Sequence, residues 1–141
     1  MSGKSEKVAA ALVIGLVVFV GAYSYYSRGA PSGVKGCNTP RGYVLITAGT
    51  SGFNDSANHA RPWPVVTSPR GETVSIFVCN TDPVSSHGFA IDRYLVSGIV
   101  LGPGEAFRVS FVADQAGNFT IFCNIFCPVH AFMIGRLRVT A

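Results

Sequence analysis

Charge is what this chain has least of. Asp, Glu, Lys and Arg make up 13% of its 141 residues, roughly half the share of an ordinary soluble domain. With 48% of its residues apolar, some part of such a chain is expected not to face water. The net charge of +4 comes without any run of Lys or Arg, so the basic patch interleaved with aromatics or donors that nucleic acid requires is missing. Helical periodicity is absent after residue 28, which leaves β architectures for the remainder. The length allows one domain of ordinary size, with a tail or an anchor besides.

The part averse to water comes first. Lys4 and Lys7 precede residues 8–26, nineteen positions without a charge; as a helix they span ~28 Å, close to the ~30 Å hydrocarbon core of a bilayer. Tyr23, Tyr25 and Tyr26 suit an interfacial aromatic belt, and Arg28 ends the run. Ala22-Tyr23-Ser24 also offers a small-x-small cleavage site, but the apolar run is longer than the ~7–15 residues of a usual signal-peptide core. A retained single-pass anchor over residues 1–28 is therefore expected. Positive charges at both ends orient it only weakly, and either reading places the rest of the chain on the extracytoplasmic side. Residues 29–36, rich in Gly, Ser, Pro and Ala, read as a linker.

From residue 37 the pattern changes to alternation by two, the mark of half-buried strands. Strands are expected near Tyr43-Thr47, Pro64-Thr67, Thr73-Cys79, Gly88-Ile91, Leu95-Val100, Ala106-Ala113, Asn118-Phe122 and Gly135-Thr140. Phe107, Val109 and Phe111 share one face; Leu137 and Val139 alternate with Arg136, Arg138 and Thr140. Turn signals separate them at Ser68-Pro-Arg-Gly71, Leu101-Gly-Pro-Gly104 and Asp114-Gln-Ala-Gly117. Many short strands joined by Gly/Pro turns predict an all-β domain over residues 37–141, an antiparallel sandwich or barrel.

Between the last two strands lies Cys123-Asn-Ile-Phe-Cys127-Pro-Val-His130-Ala-Phe-Met133. Two thiols, an imidazole and a thioether within eleven residues form the soft donor set that selects copper over harder metals. A loop held at both ends by strands is a rigid place for a metal. One more histidine is wanted, and His87, just after the long strand ending at Cys79-Asn80, stands where it can converge on the loop. His59 sits in a polar run and reads as a surface residue. Structural zinc fits poorly, since zinc rarely uses Met and the Cys and His spacings are not those of a finger or ribbon. Without metal, Cys123 and Cys127 are expected to form a disulfide. Cys37 and Cys79 have two outcomes, a mutual disulfide or two buried thiols, and no metal role. Trp63 is either a surface aromatic that receives electrons or, more often for a lone Trp near a strand start, a core residue. Asn118-Phe-Thr120 has the form of a glycosylation sequon but falls in an expected strand.

Ser86-His87-Gly88-Phe89, Gly102-Pro-Gly-Glu105, Ala116-Gly-Asn-Phe119, the two-cysteine loop and Gly135-Arg-Leu-Arg-Val139 together resemble the CuA cupredoxin domain of haem-copper oxidase subunit II and nitrous oxide reductase. The resemblance runs from Val74 to the C-terminus, about half of the chain, and the two-cysteine loop is its specific part. It implies a cupredoxin-like Greek-key β-sandwich behind one transmembrane helix. With no room for the reductase's large second domain, it implies the short, single-anchor form of cytochrome c oxidase subunit II. The implied centre is binuclear: Cys123 and Cys127 bridge two coppers, His87 and Met133 complete one, and His130 and the carbonyl of Ile125 complete the other. Such a subunit takes electrons from a cytochrome c or a small copper protein and passes them to haem in catalytic subunit I. It belongs to a respiratory enzyme but does no oxygen chemistry itself.

In one place the sequence departs from that family. Three residues usually separate the second cysteine from the histidine, whereas here only Pro128 and Val129 do. Cys127-x2-His130-x2-Met133 is the spacing of the shortest mononuclear blue-copper loops, so the alternative is a membrane-anchored carrier with one copper on His87, Cys127, His130 and Met133. A third possibility, copper delivery, suits the closed ligand set less well. Register favours the binuclear centre: cupredoxins commonly place the ligand cysteine six residues after the glycine opening the preceding strand, and Gly117 plus six is Cys123. From Gly29 onward there are eight Lys or Arg and six Asp or Glu, so no acidic face for a basic cytochrome is evident. Docking through Phe126, Val129, Ala131 and Phe132, or to an acidic donor, is expected instead, and Arg136 and Arg138 face either a partner subunit or water.

Overall fold

The alternation by two becomes nine strands in residues 37–141, the portion described in the computed structural model. The anchor expected over residues 8–26 and the linker expected over residues 29–36 lie outside the described residues. The strands are β1 (Val44–Gly49), β2 (Gly52–Phe53), β3 (Val65–Pro69), β4 (Thr73–Asn80), β5 (His87–Ile91), β6 (Leu95–Leu101), β7 (Ala106–Val112), β8 (Gly117–Phe122) and β9 (Ile134–Thr140). Two single turns of 3-10 helix, Ser56–Asn58 and His130–Phe132, interrupt the loops. Every expected strand is present; the two-residue β2 is the addition, too short to carry a periodicity. Among the described residues no helix is long and apolar enough to cross a membrane.

The strands form two sheets, ordered β2-β1-β4-β7 and β3-β9-β8-β5-β6. The expectation of a purely antiparallel sandwich needs correcting at two places: β1 pairs with β4, and β3 with β9, in parallel. Hairpin turns cannot produce such pairs, because parallel neighbours need a long crossover. The route from β1 to β4 supplies one by passing through β3 in the other sheet.

The core lies between the inner faces. Ile46, Ile76, Val78 and Val109 of the first sheet meet Phe89, Ile91, Ile121, Leu137 and Val139 of the second. Strand β9 alternates as its sequence reads, Leu137 and Val139 buried and Arg136, Arg138 and Thr140 exposed. Burying each such aliphatic side chain stabilises the sandwich by about 1.5–3 kcal/mol. Phe107, Val109 and Phe111 share one face as expected, opposite Val78, Ile76 and Val74 of β4; Phe107 is nonetheless half exposed, on a strand at the edge of its sheet. Cys37 and Cys79 are joined in a disulfide, which decides between the two outcomes open in the sequence.

At one end of the sandwich a buried asparagine ties the sheets together. Asn80, the last residue of β4, donates from Nδ2 to the carbonyls of Leu101 and Ser85, and its Oδ1 accepts from the Asp82 amide. The connection from β4 to β5 is thereby shaped against the start of β5, where His87 stands.

Candidate metal centre

Strand β8 ends at Phe122, and Cys123 is the first residue beyond it. The loop returns at β9, and the Cys123 amide donates to the Met133 carbonyl (3.3 Å), closing the loop at its base. The donor atoms of Cys123, Cys127 and His130 all lie within 4.8 Å of one another. The Cys123 and Cys127 sulfurs are 3.6 Å apart, and the Cys127 thiol lies 3.5 Å from the Met133 sulfur. Both cysteines and Met133 are buried within the hydrophobic core cluster, while His130 is exposed.

The Ile125 carbonyl sits at the middle of this set. It accepts from the Cys123 thiol (3.1 Å) and from His130 Nδ1 (3.0 Å). A thiol, an imidazole and a backbone oxygen thus converge on one spot, with two protons directed at it.

His87 is fully buried at the start of β5 and stands outside the group of three. Its neighbour Gly88 reaches the cluster, donating from its amide to Cys123 Sγ (3.2 Å). The His87 ring lies 3.0 Å from the Asp82 carboxylate through Nε2. A carboxylate only accepts, so Nε2 carries the proton. Nδ1 is then the nitrogen open to a further partner; it is buried and makes no hydrogen bond. A buried imidazole nitrogen without a partner is the kind of atom a metal satisfies.

Asp82 is held in turn by the amides of Val84 and Ser85, both 2.9 Å from Oδ1. Burial works to raise its pKa, but those amides and the His87 ring outweigh it and keep the carboxyl below its ordinary value. At Cys127, burial first and Cys123 second push the thiol up from 9.0 to about 11. Both effects favour the proton form of a thiol in a dry pocket, so any cation entering must displace that proton.

The loop is pressed close against β5 and β6. A Cβ on Gly88 would stand 2.8 Å from the Asn124 nitrogen and 3.0 Å from the Ile125 nitrogen, and one on Gly98 would strike the Asn124 side chain. Glycine at position 88 is what permits the approach. Asn124 also donates to the Ser97 carbonyl (3.2 Å).

Of the sequence-expected residues, Cys123, Ile125, Cys127, His130 and Met133 are brought together; the His87 ring is not among them, and it is the amide of its neighbour Gly88 that touches Cys123. The disulfide expected between Cys123 and Cys127 is not formed; both are free thiols. His59 is exposed, as its polar surroundings suggest, and stacks on Trp63 at 4.5 Å. Trp63 is half-buried and donates from Nε1 to the Asn54 carbonyl. Phe126 is 96% exposed at the loop tip and Val84 82% exposed on the neighbouring connection. Arg136 and Arg138 line an open depression with Pro62, Val65 and Asn118, none of which belongs to the cluster.

Sequence reading missed Asp82, although an aspartate ahead of a proline in a Ser-rich connection is an Asx-turn signal. It also missed Asn124, whose role depends on glycines far away in the chain.

No family profile matches the chain. The nitrous-oxide reductase of Cupriavidus necator is 40% identical over 75 residues, covering 51% of this chain and 12% of that protein. The chain thus spans about an eighth of the length of the curated relative it matches. The periplasmic domain of subunit II of cytochrome oxidase from Bradyrhizobium japonicum aligns with a TM-score of 0.54 at 21% identity, over 74% of this chain and 88% of that one. A haem-copper terminal oxidase dimer contains a chain aligning with a TM-score of 0.52 at 21% identity, over 96% and 99%. Auracyanin of Roseiflexus castenholzii aligns with a TM-score of 0.52 at 20% identity, over 69% and 95%. These likenesses agree with the two-sheet topology: the described residues have a cupredoxin-like β-sandwich fold.

Proposed function

We propose that this chain is a copper-binding electron-transfer subunit of a haem-copper terminal oxidase, anchored by residues 8–26 with its sandwich on the extracytoplasmic side. The observation that carries the reading is the convergence of Cys123, Cys127 and His130 within 4.8 Å, with the Met133 sulfur and the Ile125 carbonyl at their side. Two soft thiolates, imidazole and a thioether in a mostly apolar pocket fit copper and fit harder cations poorly. The orphaned Nδ1 of His87 is a further point of fit.

In the binuclear form, the Cys123 and Cys127 thiolates, the His87 and His130 imidazoles, the Met133 thioether and the Ile125 carbonyl would hold two coppers. Copper bound there would supply a one-electron redox centre with small reorganisation. The chain's own residues do the rest. Asp82 fixes the His87 ring, the Gly88 amide donates to Cys123 Sγ, and the buried walls around Met133 keep water out. Exposed His130 and Phe126 on the loop, and exposed Val84 on the connection that leads to His87, would offer partly apolar docking contacts for a cytochrome c or small copper protein. Electrons pass onward to haem in a separate catalytic subunit, where oxygen is reduced. The end of β8 at Phe122 supports two cysteine ligands, since Cys123 stands at the first loop position without any extension of the strand.

A second reading has its own observation. Cys127, His130 and Met133 follow the shortest mononuclear spacing, and the Cys127 and Met133 sulfurs are 3.5 Å apart. One copper on these residues and His87 would make the chain an anchored carrier. Metal analysis with electron paramagnetic resonance separates the two. Two coppers per chain sharing one unpaired electron are expected; a single copper with one intense blue or green thiolate band would sink the binuclear centre. Copurification from membranes with a multi-helix haem protein tests the subunit role.

A further inference from the structure

The cluster is gripped from outside by a segment that supplies no ligand. Between β1 and β3 the chain makes an excursion over residues 50–64 that lies along the loop's return path. Three carbonyls flanking Met133 accept hydrogen bonds from it: Ala131 from Arg61 Nη1 (2.9 Å), Phe132 from the buried Ser56 hydroxyl, and Ile134 from the Trp63 amide (3.2 Å). The Arg61 guanidinium also lies over the Phe132 ring, 5.1 Å from its centroid. There is no slack in this contact. A Cβ on Gly52 would stand 2.7 Å from the Phe132 oxygen, and one on Gly135 would stand 2.8 Å from the Pro64 oxygen.

The excursion is itself fastened to the sandwich. The Asn54 side chain accepts from the Thr47 amide (2.6 Å) and donates to the Leu45 carbonyl (3.2 Å), and the Asn54 amide donates to the Thr47 carbonyl (2.9 Å). Trp63 Nε1 then donates to the Asn54 carbonyl (2.9 Å). Asn54 and Asp55 both have positive φ, 44° and 59°, a conformation these two residue types tolerate better than most. A continuous path of hydrogen bonds therefore runs from β1 through Asn54 and Trp63 to the Ile134 carbonyl just after Met133, while Arg61 and Ser56 of the same excursion hold the carbonyls just before it.

The single turn His130–Phe132 could not hold this shape alone. One turn has too few internal hydrogen bonds to offset the entropy of fixing it, and His130 and Ala131 are exposed. We propose that the excursion is a clamp that sets where the Met133 thioether and the His130 imidazole stand relative to Cys127, with Arg61 as its principal positioning residue. The planar fork of arginine suits the task, since it donates to a carbonyl while lying on an aromatic face, which the point charge of lysine does not reproduce. The clamp's part in holding copper rests on the function proposed above, whereas its grip on the loop is a property of the metal-free chain as well.

The test uses the full chain with Arg61→Ala, Arg61→Lys and Ser56→Ala. In the metal-free protein, hydrogen exchange at the amides of His130, Phe132 and Met133 is expected to quicken about tenfold in the two Arg61 variants, with β4 and β8 unchanged. In the copper-loaded protein, transfer of copper to a chelator is expected to be about tenfold faster, with a displaced thiolate-to-copper absorption band. Wild-type exchange in both Arg61 variants would overturn the clamp, as would faster exchange spread evenly over the sheets. Full recovery of the absorption band by Arg61→Lys would reduce Arg61 to a nearby charge and overturn its positioning role. If the wild-type chain itself takes up no copper, the function proposed above fails, and the exchange measurement still decides whether the clamp exists.

Discussion

His87 donates from Nε2 to Asp82 across 3.0 Å, and the same bond leaves His87 Nδ1 buried without a partner. Asp82→Asn keeps the shape but puts an amide NH2 within reach of Nε2, which favours moving the ring proton to Nδ1. Copper affinity is then expected to fall about 10–100-fold while the fold persists. Competition with a chelator measures the loss, and nitrogen NMR of the imidazole reads which atom carries the proton.

Gly88→Ala drives a Cβ against the backbone nitrogens of Asn124 and Ile125. The expected cost is about 1–3 kcal/mol, with loss of the Gly88 to Cys123 contact. Adding Asn124→Ala removes the side-chain obstacle and leaves the backbone one, so little recovery is expected. Denaturant unfolding of the single and double variants checks this; a full rescue would place the obstacle in the side chain.

Cys127 is held protonated, its pKa raised to about 11 by burial and by Cys123. A group with a raised folded pKa stabilises the fold fully below its unfolded value and loses that contribution as pH climbs through the folded one. The metal-free protein should therefore lose on the order of 2 kcal/mol between about pH 9 and pH 11. Unfolding measured across that window, with a chelator present, should show the slope in the wild-type chain and a much weaker one in Cys127→Ala.

The disulfide closes a loop between positions 42 residues apart in sequence. Its removal in Cys37→Ser is expected to cost about 2–4 kcal/mol and to lower Tm by about 10–25 °C. Reductant should act in the same direction on the wild-type chain and leave the variant unmoved, as thermal melts with and without it will show.

Much of the fold was legible because period-2 patterns and Gly/Pro turns are local signals. Leu137 and Val139 announce the inner face of β9 by their own neighbours. The parallel pairs β1/β4 and β3/β9 were not legible, since nothing near Val44 says which distant strand lies beside it. At the site, Cys123 to Met133 stood out because donors of one chemistry crowd eleven residues. Asp82 and Arg61 did not, because their work is done on residues 5 and 70 positions away. A donor to a remote carbonyl leaves no trace in its own sequence context.

The Cys37–Cys79 bond also decides how the sandwich carries load. Tension applied to the chain ahead of Cys37 enters through sulfur at Cys79, near the end of β4, and bypasses β1 altogether. The next residue is Asn80, which steadies the connection that bears Asp82. A pull on the leading segment therefore meets covalent resistance one residue from Asn80 and three from Asp82, which aligns His87, and β1 cannot be peeled from its end to let the site slacken.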